Sequence, residues 1–527
     1  MLTVIPMPRK VTELEGKVAF SEKTTLCGAF SENFDLIASM LPKAVDAKAN
    51  KLEFVCDEAM PKEGYKISCK DGDIIASAST DTGAFYAAMT LIQLACDTDF
   101  IPAVEIEDAP RYEHRGFMLD CCRHFFGVEK IKQLLDYMAR VKMNVFHWHL
   151  TEDQGWRIEI KKYPLLTTKG TVRKSTPIWA WGYDEGTELH DDVPYGEGMF
   201  FSQEQIKDVV AYASARKIMV IPEVDMPGHL VAAIACYPEL SCTGEEVEVS
   251  DRWGVREIIG CCGKENIYHF VKDVIDEMCE LFPAPFFHIG GDEVPTDRWK
   301  VCPHCQAKIK ELGLRDEEAL QSHFNNVISA YLKSKGKKTL GWNEILDGDN
   351  LNPDIIPQWW IERKDNVNEP KWLAEGNKLI LSPIKNAYIP GSYFHAPLER
   401  IYSTGPNSFG IEDCEGIYGL EACQWSEFLI SDRKLDAYVP LRLLAFSEAC
   451  WKAESERDYA CFEKRLEAMR EYWKGMGMTV VPAETYQGNG IPGMEEKVKA
   501  MTEDERIEFF KKNVHFDFDY LVSHNLA

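Results

Sequence analysis

Basic residues are in short supply. Lys and Arg number 59 against 85 Asp and Glu, giving a net charge of −26 over 527 residues. Such a surface repels phosphate backbones and anionic lipids, so nucleic acid is not an expected partner. Long apolar runs are also missing: nothing approaches ~18 uninterrupted apolar residues, so no membrane span is expected. The opening stretch, MLTVIPMPRKVTELEG, has no apolar core before a small-residue cleavage site and is broken by Pro6 and Pro8. It does not read as a signal peptide. Cysteine is present but not as a disulfide framework, because the 17 residues are odd in number and include the adjacent pairs Cys121–Cys122 and Cys261–Cys262. The resulting expectation is a reduced, cytoplasmic protein. No G-x-G-x-x-G follows a strand and no G-x-S-x-G occurs, which leaves dinucleotide and serine-hydrolase readings unsupported.

What is present suits a large α/β enzyme. Hydrophobic residues make up 45% and aromatics 11%, enough for a substantial core. Residues 1–108 mix short β-rich runs with one helical segment, DTGAFYAAMTLIQLAC, for which Asp81 or Thr82 is the expected N-cap. These features predict a small α+β domain. From Arg115 the rhythm changes, and eight apolar runs alternate with helical patterns: GFMLDC, NVFHWHL, IMVIPEV, PFFHIGG, KTLGWNE, IIPQWW, KLILSP and IYGLEACQW. Near-continuous apolar strands alternating with helices predict a parallel sheet, and eight units predict a (β/α)8 TIM barrel over 109–454. Long linkers at 160–202 and 384–415 are expected as insertions on its rim. The charged segment 455–527 is expected to be helical and packed on the barrel.

Barrel chemistry sits at the C-terminal ends of the strands. There the sequence places Asp120, Arg123, His149, Glu152, Glu223, Asp225, His229, Asp292, Glu293, Trp342, Glu344, Trp360, Trp425 and Glu427. Aromatic plates among carboxylates suit a sugar, whose C–H faces stack on rings while its hydroxyls need polar partners. One detail stands out in FFHIGGDEVP: two carboxylates are adjacent, where each ionised group raises the other's pKa.

Six motifs in chain order carry a resemblance: RGFMLDCCRHFF, NVFHWHLTEDQGWRIEIKKYP, VIPEVDMPGH, HIGGDEVP, LGWNEIL and ACQWSE. Together they resemble the glycoside hydrolase family 20 β-N-acetylhexosaminidases, and the stretch GYKISCKDGDIIASASTDTGAFYAAMTLIQL is similar to that family's accessory α+β domain. The resemblance implies exo-acting, retaining hydrolysis of terminal β-linked N-acetylglucosamine or N-acetylgalactosamine. In this family the substrate's 2-acetamido oxygen is the nucleophile, an exception among glycosidases. It implies that Glu293 is the general acid and then the base, and that Asp292 orients the acetamido group and stabilises the oxazolinium charge. By the same matching, Tyr388 donates to the acetamido oxygen. Trp342, Trp360 and Trp425 wall the methyl pocket, and Arg123 and Glu427 bind ring hydroxyls. Glu152 and His229 form the carboxylate–histidine pair behind the acid, with Asp225 nearby. No metal or cofactor is implied, the expected partner is a β-N-acetylhexosaminide oligosaccharide or glycoconjugate, and oligomeric state is not readable.

Two departures from the family pattern are visible. Glu152 stands where many relatives have Asp, and Pro390 stands where many have an Asp or Asn that contacts outer hydroxyls. The second leaves open a substituted sugar such as 6-sulfo-N-acetylglucosamine, or release of a disaccharide. Tyr393 is close enough to compete with Tyr388 for its role. HWH at His147–His149 is a pattern of metal-dependent barrel hydrolases, but such a site needs ligands from later strands, and strands five and six end in GWNE and QWW with no histidine. CPHC at Cys302–Cys305 is half of a zinc site or a redox pair; no second C-x-x-C accompanies it, which leaves His304 or a distant cysteine as the further ligands a zinc site would need, and a pair of thiols in a helix-leading turn is the stronger expectation. A non-catalytic sugar-binding protein would be favoured by loss of either Asp292 or Glu293, and both are present.

Overall fold

The computed structural model describes residues 2–174, 195–348, 350–362, 368–393, 395–427, 429, 431–489, 500–502 and 505. Part of the predicted 160–202 insertion and much of the segment after 489 lie outside these residues.

The first six strands are β1 Lys10–Ala19, β2 Thr24–Gly28, β3 Asn50–Cys56, β4 Tyr65–Lys70, β5 Asp73–Ala78 and β6 Phe100–Asp108. They form one sheet in the order β1-β6-β4-β5-β3-β2. Helix α1, Asp81–Leu94, covers it and is buried from Gly83 to Leu94. Its N-cap is Thr80, not Asp81 or Thr82: the Thr80 hydroxyl accepts from the Gly83 amide at 3.2 Å. Asp81 occupies the first helical turn instead and pairs with Lys217 at 2.6 Å. Thr80 satisfies an orphan amide that a residue already inside the helix cannot reach.

Eight parallel strands then close into the predicted barrel: β7 His114–Asp120, β8 Val145–His149, β9 Met219–Glu223, β10 Phe286–His288, β11 Lys338–Trp342, β12 Ile356–Trp359, β13 Leu379–Leu381 and β14 Ile417–Gln424. Each corresponds to one of the eight apolar runs. Intervening helices include α2 Val128–Arg140, α3 Gln203–Ala215, α4 Glu265–Leu281, α5 Pro303–Leu312, α6 Glu317–Ser334 and α7 Pro440–Trp451. Helix α2 shows why these elements pack on the sheet, since Ile131, Leu134, Leu135 and Met138 are buried at helical spacing.

Side-chain alternation divides the barrel interior into layers. The floor is apolar, made by Val145, Ile221, Phe286, Leu340, Ile356 and Ile380. Two residues further along several strands the interior becomes polar and ionic, with His147, Glu223, His288, Gln358 and Glu421 all buried. Above that, Trp342, Trp360, Met118 and Cys423 cluster with Tyr388 and Trp425.

Buried ion pairs join the parts. Arg115 on β7 reaches Glu63 of the first domain with two 2.9 Å hydrogen bonds. Arg465, on the helix Tyr459–Ala468, pairs with Glu448 of α7 at 2.7 Å and also donates to the Val4 carbonyl at 2.7 Å. Removing one partner of such a pair strands a buried charge, at a cost of about 3–5 kcal/mol. Among the described residues no helix is long and apolar enough to cross a membrane.

Candidate active site

The approach to Asp292 explains the two glycines before it. Gly290 and Gly291 have φ of 65° and 96°. A Cβ on Gly290 would run into the Asp225 carboxylate, and one on Gly291 would lie 2.6 Å from Ile345. The chain therefore turns tightly over Asp225, whose Oδ1 accepts the Gly291 amide at 3.0 Å. Two non-glycine residues here also have left-handed φ, Glu293 at 49° and His229 at 46°. Such conformations cost energy and persist where the surroundings hold them.

Asp292 and Glu293 then occupy different environments. The Asp292 side chain is 11% exposed and that of Glu293 is 34% exposed. Both face Nε2 of His229, Glu293 at 3.4 Å and Asp292 at 3.8 Å. Burial pushes the Asp292 carboxyl up to about 6, with the positive His229 opposing and Glu293 adding to the rise. A hydrogen bond with Asp225 favours its ionised form. Asp225 is itself raised well above the carboxylate range, first by burial and then by the charge of Asp292. Of the two, Asp225 is the more strongly held toward its neutral form.

On its other side His229 meets two carboxylates. Nδ1 lies 2.7 Å from Glu152 and 3.3 Å from Asp153. The longer Glu152 arm reaches His229 and also contacts Arg123 at 3.1 Å and His149 at 3.2 Å. Burial works against the His229 charge, yet Glu152 raises its pKa well above the usual value. Asp153 was missed in the sequence. Its other oxygen accepts the Val231 amide at 3.0 Å, which fixes it beside His229. The signal was available, as two consecutive acids precede QGWR.

A cavity of ≈ 280 Å³ opens at the strand ends. Of the residues singled out from sequence, it is lined by Arg123, His229, Asp292, Glu293, Trp360, Tyr388, Trp425 and Glu427. Tyr388 and Trp360 stack with centroids 5.9 Å apart and planes 12° apart. Arg123 lies over the Trp425 ring at 4.9 Å. It is held from behind by Asp120 at 3.3 Å, which also takes the Ser426 hydroxyl at 2.9 Å. Burial raises the Glu427 carboxyl while Arg123 opposes the rise. Glu152 and Asp225 sit behind this wall. Trp342 does as well: it is fully buried, donates to Glu223 at 2.8 Å and backs Trp425 at 5.6 Å, so it is not among the lining residues. Tyr393 is buried elsewhere, its hydroxyl donating to the Ala437 carbonyl at 3.2 Å. Pro390 does line the cavity, together with Ile384 and Ile389, so this stretch of rim is apolar.

The HWH histidines are committed to carboxylates. His147 contacts Glu421 at 2.7 Å and Glu223 at 3.2 Å, while His149 contacts Glu223 and, at 3.2 Å, Glu152. Burial opposes their charge, but these acids raise His147 to about 9 and His149 to about 10.

The family profile described as glycosyl hydrolase family 20, catalytic domain, matches residues 112–454, and that of its domain 2 matches residues 1–109. The chain belongs to glycosyl hydrolase family 20. A β-hexosaminidase of Porphyromonas gingivalis is 36% identical over 504 residues, covering 88% of this chain and 62% of the relative. One of Vibrio furnissii is 32% identical, covering 85% of this chain and 76% of the relative. This chain thus spans less than two thirds of the Porphyromonas protein. Among solved structures, a family 20 exo-β-N-acetylglucosaminidase from Vibrio harveyi in complex with N-acetylglucosamine superposes with a TM-score of 0.77 at 29% identity, covering 90% of this chain and 78% of that one. A β-N-acetylhexosaminidase from Bacteroides fragilis gives 0.76 at 30% identity, covering 90% and 96%.

One pH dependence follows for any reaction that needs Asp292 ionised. Asp292 is protonated below its raised pKa and charged above it. In the free enzyme, kcat/KM is expected to fall as pH drops through about 6. A pH profile whose acid limb lies near the ordinary Asp value of about 4 would contradict this.

Proposed function

We propose that this protein is an exo-acting, retaining β-N-acetylhexosaminidase that removes terminal β-linked N-acetylglucosamine or N-acetylgalactosamine by substrate-assisted catalysis. The observation that carries this reading is the division between Asp292 and Glu293, consecutive residues facing one cavity with one carboxylate buried and the other partly exposed. The more exposed Glu293 donates its proton to the leaving glycosidic oxygen. Asp292, anionic beside Asp225, accepts the acetamido N–H and offsets the positive charge that grows as its oxygen attacks the anomeric carbon. Tyr388 donates to that oxygen and aims it. Trp360 and Trp425 hold the acetamido methyl and exclude water, with Trp342 stiffening Trp425 from behind. Arg123 and Glu427 bind ring hydroxyls through charge-assisted hydrogen bonds. His229, held by Glu152 and Asp153, positions Glu293. In the second half-reaction Glu293 takes a proton from water as it opens the oxazolinium on the same face.

The test is stereochemical and chemical together. Proton NMR of early turnover of a nitrophenyl β-N-acetylglucosaminide should show the β-anomer first, and a thiazoline mimic of the bicyclic intermediate should inhibit tightly. An α-anomer as first product, or rapid cleavage of a β-glucoside lacking the acetamido group, would refute the scheme. The rim at Ile384, Ile389 and Pro390 offers the outer sugar hydroxyls no polar side chain, and that missing partner is the ground for a second reading in which those hydroxyls carry a substituent, 6-sulfate being the charged case for which this apolar stretch supplies no counter-ion. A glycan panel read by mass spectrometry separates that from a plain monosaccharide and from disaccharide release.

A further inference from the structure

Away from the cavity, four cysteines distant in sequence meet. The Cys261 sulfur is 3.7 Å from that of Cys302 and 3.6 Å from that of Cys305, and Cys242 is 4.0 Å from Cys305. All four sulfurs lie within 4.8 Å of one another. Cys261, Cys302 and Cys305 are buried and Cys242 is half-buried. A disulfide brings its sulfurs to ~2.05 Å, and here no pair is distinguished from the rest by such an approach. Four thiolates about 2.3 Å from a tetrahedral ion are instead separated by edges of roughly 3.8 Å. The measured separations scatter around that edge. We propose that Cys242, Cys261, Cys302 and Cys305 bind one structural zinc ion.

The surrounding chain is built as a ligand frame. Ser241 and Gly260 form an antiparallel bridge, so the residue after each, Cys242 and Cys261, is delivered to one place. Cys302 caps α5 and Cys305 lies in its first turn, where the positive end of the helix dipole favours thiolate. Pro303 at the first helical position gives up no needed amide. Gly263 passes so close to His304 and Cys305 that a side chain there would collide with their backbone. With four cysteine ligands there is no open position for water or substrate, so the role is structural.

That role concerns the catalytic loops. Cys242 and Cys261 belong to the connection after β9, which also carries His229 and, on the cavity wall, Gly254. Cys302 ends the segment after β10 that carries Asp292 and Glu293. The two are already tied close to the cluster: Trp299 donates to the Gly260 carbonyl at 3.0 Å, and Gly260 donates to Pro227, two residues before His229, at 2.8 Å. The ion clips the histidine loop to the acid/base loop and holds their register.

The test uses the full chain purified with reductant and without chelator. Elemental analysis should find about one zinc per chain, as a closed four-cysteine site requires. Titration with an organomercurial should release it in step with modification of these four cysteines, identified by peptide mapping. The double variant Cys302→Ser/Cys305→Ser should lose the zinc, melt at lower temperature and show a several-fold lower kcat/KM. Cobalt-loaded protein should display a thiolate charge-transfer band. Zinc-free wild-type protein with four reactive thiols, or with disulfides among these positions, would overturn the proposal. Iron in the cluster, which the same ligands can take, overturns the assignment to zinc. Zinc retained in the double variant overturns the assignment of the ligands. Should that variant not fold, the mercurial titration of wild type still decides.

Discussion

Glu293→Gln is expected to lower kcat on a natural β-N-acetylhexosaminide by ~100- to 10,000-fold, with little change in fold or melting temperature. That range corresponds to about 3 to 5 kcal/mol of barrier. The amide keeps the shape of the side chain, which is one-third exposed and lies 3.4 Å from His229. What it loses is the proton that an alkoxide leaving group must take. A dinitrophenolate needs no such proton, so the first half-reaction should be nearly spared with that leaving group. The second half-reaction would still lack its base, and the enzyme should stall after bond cleavage. Azide, which attacks without being deprotonated, should restore turnover and give a β-glycosyl azide. Equal damage across leaving groups with no azide rescue would remove Glu293 from the acid/base role.

The barrel was legible because its strands are short, nearly all-apolar runs, and such runs survive any detail of packing. The strand-end residues were legible because the fold fixes where chemistry can sit. What stayed hidden depended on contacts between segments far apart in the chain. Nothing local marks Trp342 as lying behind Trp425, since its depth is set by the hydrogen bond to Glu223 on another strand. Asp153 gained its place beside His229 from the Val231 amide, a tertiary anchor. CPHC looked like half a site because its complement is no second C-x-x-C. Cys242 and Cys261 are brought together by one bridge, Ser241 to Gly260, that sequence spacing does not announce. The zinc clip also changes how chelator experiments read: a slow loss of activity would report loosening of the catalytic loops and need not signal a metal in the reaction.

Asp292→Asn should be comparably severe, and its signature should differ from that of Glu293→Gln. Removing one fixed group that meets developing charge typically costs ~100- to 1,000-fold in kcat. Here the lost element is a carboxylate buried beside Asp225, whose own carboxyl is held toward its neutral form, and facing His229, whose charged form Glu152 favours. Asparagine can turn its amide toward the acetamido N–H and then oppose two donors, or turn its carbonyl and supply a dipole without the charge. In either case the oxazolinium loses its counter-ion, whatever group departs. The loss should therefore be similar for nitrophenyl and oligosaccharide substrates, where the Glu293 variant discriminates strongly. The acid limb near pH 6 should vanish from the residual activity, because the group that titrates there is gone. A thiazoline mimic that binds as a cation should weaken along with kcat, and N-acetylglucosamine itself, which is neutral, should weaken far less. Both ligands weakening together would point to a collapsed pocket, and an unchanged thiazoline affinity would mean that Asp292 does not meet the charge of the intermediate.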